Sequence, residues 1–179
     1  MRILLPLMFL LFTVSCGNHT QQDTVELKPV AVTAQRLPEQ PVINSKDLDC
    51  LATNIYFEAR GEPHLGKIAV AHVTLNRVKS KSFPNDICGV VYQAKTNSRG
   101  TPIRHQCQFS WYCDGKLEVI DEKDKYEEIR KLAEEILSEQ QEDVTHGAEF
   151  YHSVKVSPFW RTAFTQTVVI NDHIFYKKG

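Results

Sequence analysis

The sequence predicts a mainly α-helical domain of the α+β class with a small β-hairpin or extended arm. Three features carry this expectation. Apolar residues recur at helical spacing from Leu48 to Ala59 and fill the stretch from Leu65 to Val78, an amphipathic stripe runs from Tyr126 to Gln140, and the last segment is rich in β-branched and aromatic residues. At 179 residues, with an N-terminal portion that lacks core-forming composition, the chain has room for one compact domain.

The elements follow in chain order. Met1 to Ser15 (MRILLPLMFLLFTVS) places one Arg ahead of an apolar run that is too short to span a bilayer and ends in small residues, the pattern of an export signal. It runs straight into Cys16-Gly17 and resembles a bacterial lipoprotein signal, with Val14 and Ser15 in suitable places and Thr13 where Leu is usual. The resemblance implies that residues 1–16 are a lipoprotein-type signal, that Cys16 becomes the acylated N-terminus, and that the mature chain is exported and membrane-anchored, facing the periplasm or cell wall. Residues 17–45 carry Gln, Thr, Pro29, Pro38 and Pro41 with few large apolar side chains, so they read as a flexible tether. The folded domain spans 46–179.

Ser45 can cap the first helix, and Asp47 and Asp49 suit the positive end of its dipole. Leu48, Leu51, Ala52, Ile55 and Ala59 form its apolar arc, and Gly61 and Pro63 close it. Leu65 to Val78 (LGKIAVAHVTLNRV) predicts a mostly buried second helix, so the two make a helical hairpin. From Phe83 to Lys116, Pro84, Gly89, Gly100, Pro102 and three cysteines point to loops and short helices. Tyr126, Ile129, Leu132, Ala133, Ile136 and Leu137 line one face of an amphipathic helix whose charged face is solvated. In the last segment, His146 to Tyr176, the run Thr165 to Ile170 reads as a strand and Asn171-Asp172 as a turn.

A formal net charge of −1 with 24% charged residues shows no basic excess, which excludes nucleic acid as the expected partner. Cys50, Cys88, Cys107 and Cys113 form an even set in an exported chain, so disulfides are the economical reading. Three pairings are open. The short spacing of Cys107 and Cys113 suits a local bridge, which leaves Cys50 with Cys88. There is no CxxC pair and no HExxH, so neither a metal site nor a cofactor is expected.

On the first helix, 100° per residue sets Glu58 beside Leu51 and one turn from Ile55, at the edge of the apolar arc. A carboxyl there is partly desolvated, which raises its pKa toward what a general acid for glycosidic cleavage requires. The alternative from spacing alone is a carboxylate at the helix rim, paired with Arg60 or Arg77.

Beyond this helix the sequence carries an ordered set of marks. Asn54 to Glu62 reads NIYFEARGE; then come Gly66 with AVAHVTLNRV, Phe83-Pro84, Cys88 to Gln93 (CGVVYQ), Gln108 to Trp111 (QFSW), Thr145 to Ala148 (THGA), Pro158 with Trp160, and His173 to Tyr176 (HIFY). This succession, from about Leu48 to Tyr176, resembles the SleB-type cell wall hydrolases, the spore-cortex-lytic enzyme family. The resemblance implies a lysozyme-like helical domain, with 46–179 as its catalytic domain. It implies as substrate the glycan strands of peptidoglycan, cut at the bond between N-acetylmuramic acid and N-acetylglucosamine. It implies Glu58 as the catalytic acid, and Glu62 as a supporting residue. Hydrolysis by two carboxylates would need a second well-placed acid, and Asp114 is poorly placed for it in sequence, so lytic transglycosylation is the expected route. Gln108, Phe109, Ser110 and Trp111 combine amide, hydroxyl and flat rings suited to sugars, with Phe109 and Trp111 as core packing the alternative. His146 and Tyr151 are further candidates for the same cleft. Trp160 and His173 read as packing, and Asn76 as a residue that satisfies backbone groups. The expected enzyme is a monomer.

Four rivals share some of these features. A thiol peptidase would use Cys50 or Cys107 with His146 or His152, and the even cysteine set argues against it. A metal-dependent hydrolase lacks paired ligand spacing. A non-catalytic peptidoglycan-binding lipoprotein, or a hydrolytic muramidase, would keep the same fold.

Overall fold

The computed structural model describes residues 42–179; the export signal, the Cys16 anchor and the tether up to residue 41 lie outside the described residues. Helix α1, Ser45–Ala59, starts one residue before the predicted domain edge, because the side chain of Asn44 accepts the Lys46 N–H at 3.0 Å. Asn44 is thus the cap and Ser45 the first helical residue, both residue types being able to supply the capping oxygen. Arg60 to Pro63 turn the chain into α2, His64–Lys79.

Helix α2 is the centre of the domain. Gly66, the run from Ile68 to Thr74, and Arg77 are all buried. Ile68, Val70 and Ala71 belong to the helical core with α1, whereas Ala69 and Val73 pack with Ala148, Ile170 and Phe175 from the opposite side. A helix that is apolar around its circumference has to be covered on both sides, and here helices cover one side and a sheet the other.

A short α3, Ile87–Val91, is capped by Asp86, whose carboxylate accepts the Gly89 N–H at 2.7 Å. A Cβ at position 89 would fall 2.5 Å from that carboxylate, so the cap requires glycine there. Cys88 bonds to Cys50 and pins α3 to α1, and the second disulfide joins Cys107 to Cys113, the pairing favoured by spacing. Between them, where the sequence predicts loops and short helices, lies a pair of strands. Strands β1, Ala94–Thr96, and β2, Pro102–Cys107, form an antiparallel hairpin whose turn is held by the Asn97 side chain accepting from the Arg99 and Thr101 N–H groups. Its residues are mostly exposed, so no alternating apolar pattern marks it in the sequence.

Helix α4, Lys123–Leu137, buries Ile129, Leu132, Ala133 and Ile136, largely against α1. It begins and ends three residues before the predicted limits. Its first turn is polar and invisible to apolar periodicity; its end is set by Ser138, whose hydroxyl donates to the Glu134 carbonyl at 2.7 Å, and by Glu139, with φ 59.

The predicted hairpin is in fact a three-stranded antiparallel sheet in the order β3-β5-β4, with β3 Phe150–Ser153, β4 Thr165–Ile170 and β5 His173–Lys177. Asn171, at φ 49, turns β4 into β5 as expected. The loop before β3 is organised by Asp143, which accepts from the Thr145 N–H and hydroxyl, the Gly147 N–H and the Asn76 amide. Asn76 also donates to the Ala148 carbonyl, the backbone role expected of it. The effect is to fix where β3 begins, and hence where Tyr151 points.

Candidate active site

The last turn of α1 delivers Glu58 to the boundary between core and solvent. The Tyr151 hydroxyl, from β3, donates to Glu58 Oε2 at 2.6 Å. Burial pushes the Glu58 carboxyl above its ordinary range, and the Tyr151 hydrogen bond and the charge of Arg77 hold part of that rise back. The Tyr151 hydroxyl is itself raised well above its usual value by burial and by the facing carboxylate, so it stays a neutral donor.

Neither arginine of the rim alternative pairs with Glu58. Arg60 bonds Glu122 at 3.3 Å and lies over the Tyr56 ring. Arg77 is buried; its Nε donates to the Glu149 carbonyl at 2.7 Å, and its guanidinium sits 5.2, 4.9 and 5.9 Å from the ring centres of Phe83, Phe109 and Phe150. It influences Glu58 through space, as a cation enclosed by aromatic faces.

Glu58 opens into a groove of about 580 Å³ walled by Phe57, Trp111 and Ser110 and continued by Asp114, Lys116 to Val119, and Asp121. The Phe57 and Trp111 rings stack at 4.7 Å, and the Trp111 indole N–H donates to Asn54, which in turn donates to Thr74. This fully buried amide therefore ties the groove wall to α1 and α2 at once. Tyr151, the other partner of the Glu58 hydrogen bond, lines a second cavity of about 380 Å³ with Arg77, Gln108, Phe150, Trp160 and Phe164.

The predicted site residues separate accordingly. Ser110 and Trp111 line the groove, Gln108 and Tyr151 the second cavity. Phe109 lines neither place: it is 2% exposed and packed in the helical core against Arg77, the core-packing alternative. Trp111 is 9% exposed and its polar handle is taken by Asn54, so most of its ring is packed. His146 lines neither the groove nor the second cavity. It is exposed, with φ 57, followed by Gly147 at φ 82, so this block is a left-handed turn that shapes the backbone ahead of β3. Asp114, poorly placed in sequence, does line the groove; the Lys116 N–H at 2.8 Å and its ammonium hold that carboxylate below its ordinary range. Glu62 lies beside His173 rather than in the groove. Trp160, expected as packing, lines the second cavity, as does Arg77, which the sequence offers as a rim partner of Glu58 and within the AVAHVTLNRV run.

Comparison with known proteins gives the family and the fold. Residues 61–176 match the sequence model of a family described as Cell Wall Hydrolase, a span that begins just after Glu58. The spore cortex-lytic enzyme of Halalkalibacterium halodurans is 30% identical over 133 residues, which are 74% of this chain and 35% of that protein. The spore cortex-lytic enzyme of Bacillus cereus is 48% identical over 52 residues, 29% of this chain and 20% of that protein. The matched part of the chain thus spans about a third or less of these relatives. Among solved structures, the catalytic domain of the Bacillus cereus SleB protein has a TM-score of 0.54 at 28% identity, covering 80% of this chain and 99% of that one. The catalytic domain of the germination-specific lytic transglycosylase SleB from Bacillus anthracis has a TM-score of 0.55 at 29% identity, covering 76% and 98%. The lysozyme-like α+β architecture expected from the sequence is the architecture of these neighbours.

Proposed function

We propose that this chain, which belongs to the cell wall hydrolase family, cuts the peptidoglycan glycan strand between N-acetylmuramic acid and N-acetylglucosamine as a lytic transglycosylase, with Glu58 as its acid and base. The observation that carries the reading is the Glu58 carboxyl: half-buried, raised in pKa by burial, bonded through one oxygen to Tyr151, and open to a groove with a ring-lined wall. A groove carboxyl whose hold on its proton is strengthened by burial is what acid-assisted cleavage of a glycosidic acetal linkage needs.

The steps balance as follows. Glu58 gives its proton to the bridging oxygen as the bond from muramic C1 breaks, and positive charge spreads over C1 and the ring oxygen. The 6-hydroxyl of the same muramic acid then attacks C1 while Glu58 takes the hydroxyl proton, which restores the acid and forms a 1,6-anhydro ring. No water is consumed.

Asp114 supports a second reading, since it places another carboxylate on the groove and could assist attack by water, giving hydrolysis. Its engagement by Lys116 favours the first. The two disulfides among the described residues support an exported location. In our reading Cys16 carries the lipid, residues 17–45 form the tether, and the domain works as a monomer on the wall.

The test is mass spectrometry of muropeptides released from purified sacculi. Anhydro products that vanish with Glu58→Gln are expected. Products heavier by one water would establish hydrolysis instead, and no release by the parent chain would overturn both readings.

A further inference from the structure

Two blocks from opposite ends of the domain, Glu62 with Gly66 and Asn171 with His173, meet beside Tyr151, and the cleavage chemistry uses none of them directly. Glu62 Oε1 lies 3.9 Å from Nδ1 of His173, with the side chains only 17% and 14% exposed. That nitrogen is buried and has no hydrogen-bond partner among the described residues. The His173 ring meets the Tyr151 ring edge-on, centres 5.2 Å apart at 87°, while Phe175 stacks on Tyr151 at 5.6 Å. The junction is filled to contact. A Cβ at Gly66 would fall 2.8 Å from the Asn171 amide nitrogen and 2.9 Å from Glu62 Cβ, closer than real side chains approach.

We propose that Glu62 and His173 form a brace that fixes the Tyr151 hydroxyl and, through it, aims Glu58. Both are positioning residues, and neither lines the groove or the second cavity. In the β3-β5 register Tyr151 faces Phe175 and Ser153 faces His173, so His173 and Phe175 lie on one face of β5 and flank the tyrosine ring. Glu62 lies just past the end of α1, four positions after Glu58, so its contact with His173 joins the strand carrying the hydrogen-bond donor to the helix end carrying the acceptor. A bond of 2.6 Å between groups on separate elements tolerates little drift, and misplacement of about 1 Å at a reacting group costs on the order of 100-fold in rate. Glycine at position 66 is the space this junction requires.

The proposal rests on Glu58 as the acid, and its test separates the two. With soluble alternating N-acetylglucosamine and N-acetylmuramic acid chains, Glu62→Gln and His173→Phe should each lower kcat about tenfold with KM within about twofold. In a Tyr151→Phe background the same changes should cost less than about twofold, because the brace then has nothing to aim. A full tenfold loss in both backgrounds, or a rise in KM alone, would overturn the brace.

A second readout needs no turnover. NMR titration of the Glu58 carboxyl should move upward in His173→Phe, which leaves every carboxylate in place, as in Tyr151→Phe, since the hydroxyl that holds it down is loosened. The other groups facing Glu58 are Arg77 on α2 and, across the groove, Arg60, Asp114, Lys116, Glu118 and Asp121, and none of them is altered. An unmoved titration overturns the brace even if the parent chain proves inactive on glycan. If Glu62→Gln does not fold, His173→Phe, which keeps a ring edge against Tyr151, gives the same readouts.

Discussion

The hydroxyl of Tyr151 on β3 donates to Oε2 of Glu58 on α1 at 2.6 Å, across 93 positions of sequence. Because Tyr151 remains a neutral donor, Oε2 is occupied as an acceptor and a proton on the carboxyl is best held by Oε1. One hydrogen bond thus selects which oxygen carries the proton in the proposed role of Glu58 as acid.

Glu58→Gln should lower glycan cleavage by at least about 100-fold, the scale of a lost general acid. It should also raise the melting temperature at neutral pH by a few degrees. Burial raises the folded-state pKa above the unfolded value, so the stabilisation from holding this proton is full below the ordinary carboxylate range and is lost as pH rises through the raised value. Thermal melts across pH check the sign: the amide's advantage should shrink toward acid, and an advantage that grew there would contradict it.

Tyr151→Phe should shift the alkaline limb of the kcat/KM profile to higher pH. The lost hydrogen bond had held the Glu58 pKa down, so its removal leaves the acid protonated further into alkali. The maximal rate should nonetheless fall about tenfold, since the carboxyl is no longer oriented. A limb that stays in place would separate Tyr151 from the titration of Glu58.

Arg77→Leu should destabilise the domain by about 3 kcal/mol in denaturant melts, because it removes a cation packed on three rings and leaves the Glu149 carbonyl without its donor. Arg77→Lys should recover little of this, since an ammonium cannot spread across three faces as a planar guanidinium does.

Removing the Cys50–Cys88 bond, which spans 38 positions, should cost about 4 kcal/mol; removing Cys107–Cys113, which spans 6, about 2 kcal/mol. The second loss should raise KM as well, because Ser110 and Trp111 lie inside that loop and form groove wall. Equilibrium unfolding and kinetics of the paired Cys→Ala variants check both.

Apolar periodicity exposed α1, α2 and α4 because each buries a stripe or more, and turn chemistry exposed the β4-β5 junction at Asn171. The β1-β2 hairpin escaped because exposed strands carry no burial pattern. The same limit led Phe109 and His146 to be read as cleft residues. A buried ring and a sugar-facing ring are the same letter, and whether a histidine serves a turn depends on its φ, which composition does not encode.

The sequence by itself determined the helical core, the even cysteine set and the candidacy of Glu58, since these follow from spacing along one chain segment and from residue chemistry. Only the tertiary structure decided that Tyr151, and neither Arg60 nor Arg77, is the partner of Glu58, and that Glu62 meets His173. The physical reason is that these contacts join α1 to a sheet formed about 90 residues later, where direction and distance are set by how α2 is packed between them.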